Sequence, residues 1–250
     1  MYLRDKICEK LNYYAKGIYA RYMGQLVNFR KGIAAANASN WEEYGRVNLS
    51  SVKPGPPLPI SAIMRIKNAE ASLMISVEAI VHYCAEVILV DHQSTDATWD
   101  IMNILTRKYP DRVKTYRYEK PAAKAGLGYI ERVNAGGGSL AEYYNFCFSL
   151  GTQKYLLKWD ADNLAVPPFY TYFKKGIEKQ RDIVYFDGFD VMGVFSCTNE
   201  GRLFKRSLNW EFRDFAYCEG LMIDGKHLTE AGLSRYSIPI PTFFHLRQLV

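Results

Sequence analysis

Two aspartates one small residue apart, Asp160-Ala161-Asp162, close the apolar run Tyr155-Leu156-Leu157-Lys158-Trp159 and are followed by Asn163. Where a strand ends in a turn, such a pair turns hard oxygen ligands toward one site, which suits Mg²⁺ or Mn²⁺. An ion of that kind takes its other ligands from water or substrate phosphate and neutralises charge on a departing diphosphate. The same tetrapeptide also makes an ordinary turn that binds nothing. Asp91 ends a second apolar run, Val87-Ile88-Leu89-Val90, and either caps the following turn or accepts a hydrogen bond from a base ring N–H. Asp96 suits the positive end of a helix as well as it suits a ligand. The four histidines lack paired-ligand spacing, which leaves His92 and His245 as weak ligand candidates, with a structural role favoured for each. No Walker-type phosphate loop occurs, so the chain does not read as an ATPase.

The elements that must position these residues follow from the hydrophobic pattern. Short apolar runs alternate with longer amphipathic stretches after Pro54-Gly55-Pro56-Pro57-Leu58-Pro59, the signature of a mostly parallel sheet flanked by helices. The proline segment forbids helix and sheet pairing, and the domain boundary is placed there. Strands are expected over 60–66, 86–91, 113–118, 154–159 and 182–191, with helices over 71–83, after Ser94 or Thr95, from Ser139 to Gly151, and from Pro167 or Pro168. Ser139 and Glu142 have the spacing of a capping box. The stretch from Ala125 to Gly138 is glycine-rich and reads as a mobile loop outside the core. In a doubly wound sheet the ligand lies beyond the carboxyl ends of the strands, where Asn68, Glu70, Asp91, Ser94, Asp96, Asp160 and Asp162 all fall.

Composition sets the outer bounds. At 250 residues with 23% charged and 48% apolar content, the chain has ordinary globular composition. Its five cysteines are scattered and unpaired in sequence, so reduced thiols in a cytoplasmic setting are expected. No run of about 18 apolar residues suggests a membrane span. The net charge of +6 is concentrated at one end, with nine Lys and Arg against four Asp and Glu between Met1 and Lys53. Residues 1 to about 30 place apolar side chains at steps of three and four, giving a basic amphipathic helix. It suits either docking on the catalytic domain or peripheral contact with an acidic membrane face. Nucleic acid is not the expected partner.

Three segments together resemble glycosyltransferase family 2 with the GT-A fold: Ile60 to Glu70, Val87 to Asp96, and Leu156 to Asp162. The resemblance covers about residues 60 to 180. It implies that Asn68 lines the nucleotide site, that Asp91 contacts the base, and that Asp160 and Asp162 hold a metal and the donor diphosphate. Where the family often has Ala-Arg-Asn, this chain has Tyr143-Tyr144-Asn145, so Arg65, Lys67, Lys124 or Arg132 would supply the missing cation at the phosphates. Ser94, Asp96 and Asn145 complete the expected donor-binding set. Further on, Arg202 to Arg206 and Tyr217-Cys218-Glu219-Gly220 resemble the acceptor half of bacterial sugar transferases. Glu219 is the expected general base, with Asp214 and Glu211 as competitors.

The resulting expectation is a basic helical appendage over 1–59 and an α/β GT-A domain over 60–250. This domain would carry out metal-dependent, inverting transfer from a nucleoside-diphosphate sugar, UDP-linked by preference, to a glycan or glycolipid. Bacterial surface polysaccharide synthesis at the inner membrane face is the expected setting. A sugar nucleotidyltransferase is one alternative, though its early glycine- and arginine-containing loop is missing. A non-catalytic nucleotide- or lipid-binding module is another.

Overall fold

The computed structural model describes residues 55–165, 168–190, 200–239 and 242–246. The basic amphipathic helix expected over the first 30 residues lies outside them.

The described residues open on β1 (Leu58–Ile66), α1 (Leu73–Ile80), β2 (Cys84–Asp91), α2 (Thr98–Lys108) and β3 (Val113–Arg117). It continues through the short α3 (Tyr129–Arg132), a π-turn at Val133–Gly137, α4 (Leu140–Ser149), β4 (Tyr155–Asp160), β5 (Asn163–Ala165) and α5 (Pro168–Glu178). Then come β6 (Ile183–Phe186), β7 (Gly188–Asp190), β8 (Glu200–Lys205), β9 (Trp210–Asp214), β10 (Glu219–Ile223), β11 (Lys226–His227), β12 (Arg235–Ser237) and β13 (Phe243–His245). The main sheet has the order β12-β6-β8-β4-β1-β2-β3. Within it β1, β2, β3 and β4 pair in parallel, whereas β8 runs antiparallel between β4 and β6. Strand order reverses at the β1–β4 boundary, so a crevice is expected beyond Ile66 and Asp160.

Residues of β1 and β2 are buried on both faces, which explains why their sequences are continuous apolar runs rather than alternating ones. One face is covered by α4, wedged between the main sheet and β9–β10. Tyr144, Cys147 and Phe148 there meet Ile63, Leu156, Phe204, Phe212 and Leu221. Elsewhere Trp159, Phe169, Phe173, Phe186 and Phe243 interlock edge-to-face and stacked.

Several boundaries move. Pro59 lies inside β1 rather than ahead of it, because the ladder to β2 shifts register between Leu58 and Ser61 and spares the missing N–H. The strand expected over 182–191 divides. Its first part, β6, joins the main sheet, and β7 joins a small sheet of order β5-β13-β7. Neither Ser94 nor Thr95 caps α2; Asp96 Oδ1 accepts the Thr98 N–H at 3.0 Å instead. The glycine-rich stretch is folded, with Tyr129 fully buried. Gly138 has φ +81, and a Cβ there would lie 2.0 Å from the Pro121 carbonyl oxygen, so the glycine serves a close backbone approach. Ser139 caps α4 as its spacing predicts, accepting the Glu142 N–H at 2.8 Å. Cys84 and Cys147 are buried free thiols. No helix among the described residues is long and apolar enough to cross a membrane.

Candidate active site

A cleft of about 260 Å³ opens at the sheet's reversal point, lined by Arg65, Lys67, Asn68, Ser72, Asp160 and Asp162 among others. The register that pairs β1 with β4 sets Arg65 opposite Asp160, and an Arg65 Nη2 donates to Asp160 Oδ1 at 3.3 Å. The turn carrying both aspartates is fixed from beneath by Ser76 of α1, whose hydroxyl reaches the carbonyls of Asp160 at 3.2 Å and Asn163 at 2.7 Å. Asp162 meets a partner from far along the chain: its Oδ2 is 3.0 Å from His245 Nε2. Strand β13 brings the histidine there by pairing His245 with Asn163, and the Leu246 N–H adds a 2.8 Å bond to the Asp162 carbonyl.

The loop after β1, which lines the cleft, is tied to the loop after β2 by side chain-to-backbone bonds. Asn68, at φ +49, donates its N–H to Ser94 Oγ at 2.8 Å and accepts the Thr95 N–H on Oδ1 at 2.8 Å. Asp96 Oδ2 accepts the Glu70 N–H at 3.2 Å, and Glu70 Oε2 returns the favour to the Ala97 N–H at 2.9 Å. Asp91 is buried and holds the Ser94 N–H with both oxygens, at 3.3 and 3.4 Å.

On the opposite side stands a compact charged cluster. The Arg65 guanidinium lies 3.6 Å from the Tyr144 ring centroid, and Lys158 Nζ lies 5.2 Å from the same ring. Lys158 also pairs with Glu219 at 3.6 Å, the Glu219 side chain being only 8% exposed. Burial alone would lower the Arg65 pKa, but Tyr144, Asp160 and Glu219 around it outweigh burial and raise it. Burial, with Glu219 and Asp160 nearby, pushes the Tyr144 hydroxyl well above its ordinary range, Arg65 opposing. Asp160 and Glu219 are thereby bridged by side chains from β1, β4 and α4.

In sequence, EpsE of Bacillus subtilis (strain 168), whose name assigns it provisionally to the glycosyltransferases, is 30% identical over 145 residues. The alignment takes in 54% of this chain and 46% of EpsE, so the chain spans about half the length of that relative. In structure, residues 1–349 of TarS from S. aureus superpose with a TM-score of 0.52 at 12% identity, covering 75% of this chain and 60% of that one. No protein-family profile matches. The chain has the GT-A fold.

Within the GT-A framework, the expected donor residues divide. Arg65, Lys67, Asn68, Asp160 and Asp162 line the cleft, whereas Ser94, Asp96 and Asp91 hold its loops together. Lys124 and Arg132 are not at the cleft. Arg132 staples its own loop, donating to the carbonyls of Leu127 at 2.9 Å and Lys124 at 2.7 Å. Asn145 works as a strand mimic, donating to the Phe212 carbonyl at 2.9 Å and accepting the Phe212 N–H at 2.8 Å. Asp214 sits across the hairpin from Glu219 yet serves the start of α4, accepting from Ser139 Oγ at 2.6 Å, from the Ala141 N–H at 3.0 Å and from the Tyr129 hydroxyl. Burial would raise the Asp214 carboxyl, and those three donors outweigh it and hold it low. Glu211 pairs with Arg213.

Sequence reasoning missed Lys158 and Tyr144 as a ring for cations, and it set His245 aside as a weak candidate. Lys158 was legible, because residues two apart on a strand share a face and Asp160 is two further on. His245 had no local signal, since only the pairing of β13 with β5 brings it to Asp162.

Proposed function

We propose that the chain transfers a sugar from a nucleoside-diphosphate sugar, UDP-linked by preference, to an acceptor hydroxyl in a single inverting displacement. The observation that carries this reading is the convergence of Asp160 and Glu219 on one cluster through Arg65, Tyr144 and Lys158. The GT-A fold and the similarity to EpsE support the reaction class.

A divalent cation fits the donor side. Asp160 and Asp162 offer hard oxygens at the switch point, and His245 Nε2 stands 3.0 Å from Asp162 as a nitrogen donor. Among the described residues no group of three or more His, Cys, Asp or Glu is preformed as a metal cluster, and an ion sharing its ligands with diphosphate and water needs none. When bound, Mg²⁺ or Mn²⁺ offsets the charge that the leaving diphosphate acquires. Arg65 and Lys67, lining the same cleft, suit that anion as well. On the acceptor side the Glu219 carboxylate takes the hydroxyl proton as the oxygen attacks, with Lys158 holding it in place. Asp214 is less suited, because its oxygens are taken up by the α4 cap.

The acceptor class is a glycan or glycolipid, and surface polysaccharide synthesis is the setting, a choice supported only by the bacterial relative. Peripheral contact of residues 1–30 with an acidic membrane face rests on their basic amphipathic pattern.

A thermal-shift panel of nucleoside diphosphates with and without Mn²⁺ tests the reading. UDP with Mn²⁺ should stabilise the protein by about 2.7 kcal/mol at 100 times its dissociation constant. The Mn²⁺-dependent part should vanish in Asp162→Ala. A panel in which no nucleotide shifts the transition would overturn the proposal.

A further inference from the structure

Both carboxylates assigned to the divalent cation already have partners within this chain. Asp160 Oδ1 accepts from Arg65 Nη2 at 3.3 Å, and Asp162 Oδ2 lies 3.0 Å from His245 Nε2. The first contact is loose, since charge-assisted bonds between a guanidinium and a carboxylate settle at about 2.7–2.9 Å. Arg65 Nε is buried without a hydrogen-bond partner, so the guanidinium carries donor capacity that Asp160 does not use. The group is nonetheless firmly seated. Its carbon lies 3.6 Å from the Tyr144 ring centroid, and only 15% of the Arg65 side chain is exposed.

Charge decides what this arrangement favours. The charged lining of the cleft consists of two cations, Arg65 and Lys67, and two carboxylates, Asp160 and Asp162. A divalent cation entering by itself must draw Asp160 away from Arg65, and it then faces both side-chain cations where burial weakens the screening. A diphosphate removes that obstacle. Its oxygens bind the divalent cation, and they offer the planar guanidinium acceptors that match its fork of donors.

Building on the glycosyltransferase reading, we propose that Arg65 is a placeholder at Asp160, holding that carboxylate against a free divalent cation and passing its guanidinium to the donor diphosphate when nucleotide and cation enter together. Arg65 thereby makes the nucleotide a condition of tight metal binding. The Tyr144 ring is the seat common to both arrangements, so the exchange replaces one oxygen partner by another without unseating the side chain.

Two titrations on the full chain test this: Mn²⁺ alone, followed by the EPR signal of the free ion, and UDP at saturating Mn²⁺, followed by calorimetry. Arg65→Met should bind Mn²⁺ alone about tenfold more tightly than the wild type and UDP about tenfold more weakly, both within the usual range of coupling between sites. Opposite signs are the signature, because loss of a merely structural salt bridge would weaken both ligands or neither. Lys67→Met removes an exposed charge from the same cleft without touching the pair, so it should weaken UDP while leaving Mn²⁺ affinity within about threefold of the wild type. A cooperative thermal transition shows each variant folded; Arg65→Gln, which keeps a neutral donor for Asp160, carries the same two expectations if Arg65→Met lacks one. Mn²⁺ affinity in the Arg65 variant that is no higher than in the wild type, or raised equally in Lys67→Met, overturns the placeholder. So does unchanged UDP affinity in the Arg65 variant, or the absence of Mn²⁺ binding by every protein. If UDP fails to bind the wild type, the glycosyltransferase reading fails on its own, and the Mn²⁺ comparison still decides whether Arg65 competes for Asp160.

Discussion

The region proposed to bind the donor and the region proposed to serve the acceptor are built in opposite ways. At the donor end, short loops after β1 and β2 bind one another through side chain-to-backbone bonds, Asn68 to Ser94 and Thr95, Asp96 to Glu70, and Glu70 to Ala97. At the acceptor end, Glu219 is held by ionic and ring contacts from β1, β4 and α4, elements far apart in sequence. The first region is fixed by the parallel strands on which it sits. The second depends on β9–β10 docking against α4, so it is the part of the site that a single structural change could move.

That contrast yields predictions of decreasing size. Glu219→Gln keeps the shape and removes the basic lone pair, so turnover should fall by roughly 10²-fold or more with donor affinity retained. If steady-state kinetics on Glu219→Gln are near normal, the acceptor end does not carry the base. Asn145→Ala unpins β9 from α4 and leaves the Phe212 N–H and carbonyl short of partners, at a cost of about 1–3 kcal/mol in denaturant unfolding. An unchanged midpoint would mean that the hairpin docks by its apolar face alone. Asp214→Ala should cost about 0.5–2 kcal/mol as the Ala141 N–H in the first turn of α4 loses its acceptor, again read from denaturant unfolding, with the thermal response to UDP preserved.

The smallest effect lies away from both ends. Burial would raise the Asp182 carboxyl, but Lys205 at 2.8 Å and Ser234 at 2.7 and 2.9 Å overcome it and lower its pKa to about 2. Because the folded value lies below the ordinary Asp value of about 3.9, this group's stabilisation is complete above that pH. It is lost as the pH falls toward 2. Thermal unfolding between pH 5 and pH 2, run on wild type and Asp182→Asn, should show a steeper acid decline in the wild type.

The same contrast explains what was legible in the sequence. The crevice was, because β1, β2 and β4 are largely apolar runs ending in polar residues, and the fold carries those ends together. What the sequence did not convey there was occupation: Ser94, Asp96 and Asp91 have the right types but bind loops. The region around Glu219, proposed to serve the acceptor, was marked in the sequence only by a resemblance. Asp214 lies directly across the hairpin from it and serves a helix cap, a division that no spacing rule reveals. The glycine-rich stretch misled, since its buried Tyr129 anchors it to Asp214. His245 was no more than a weak candidate, because its contact with Asp162 depends on the pairing of β13 with β5.

The account's central claim is that Asp162 serves the donor and Glu219 the acceptor. Isothermal titration of UDP in the presence of Mn²⁺ into wild type, Asp162→Ala and Glu219→Gln tests it most directly. Binding should be tight in the wild type, unchanged in Glu219→Gln and weakened at least tenfold in Asp162→Ala, a difference of about 1.4 kcal/mol or more. Equal affinity across all three proteins, or a loss in Glu219→Gln that matches the loss in Asp162→Ala, would contradict it.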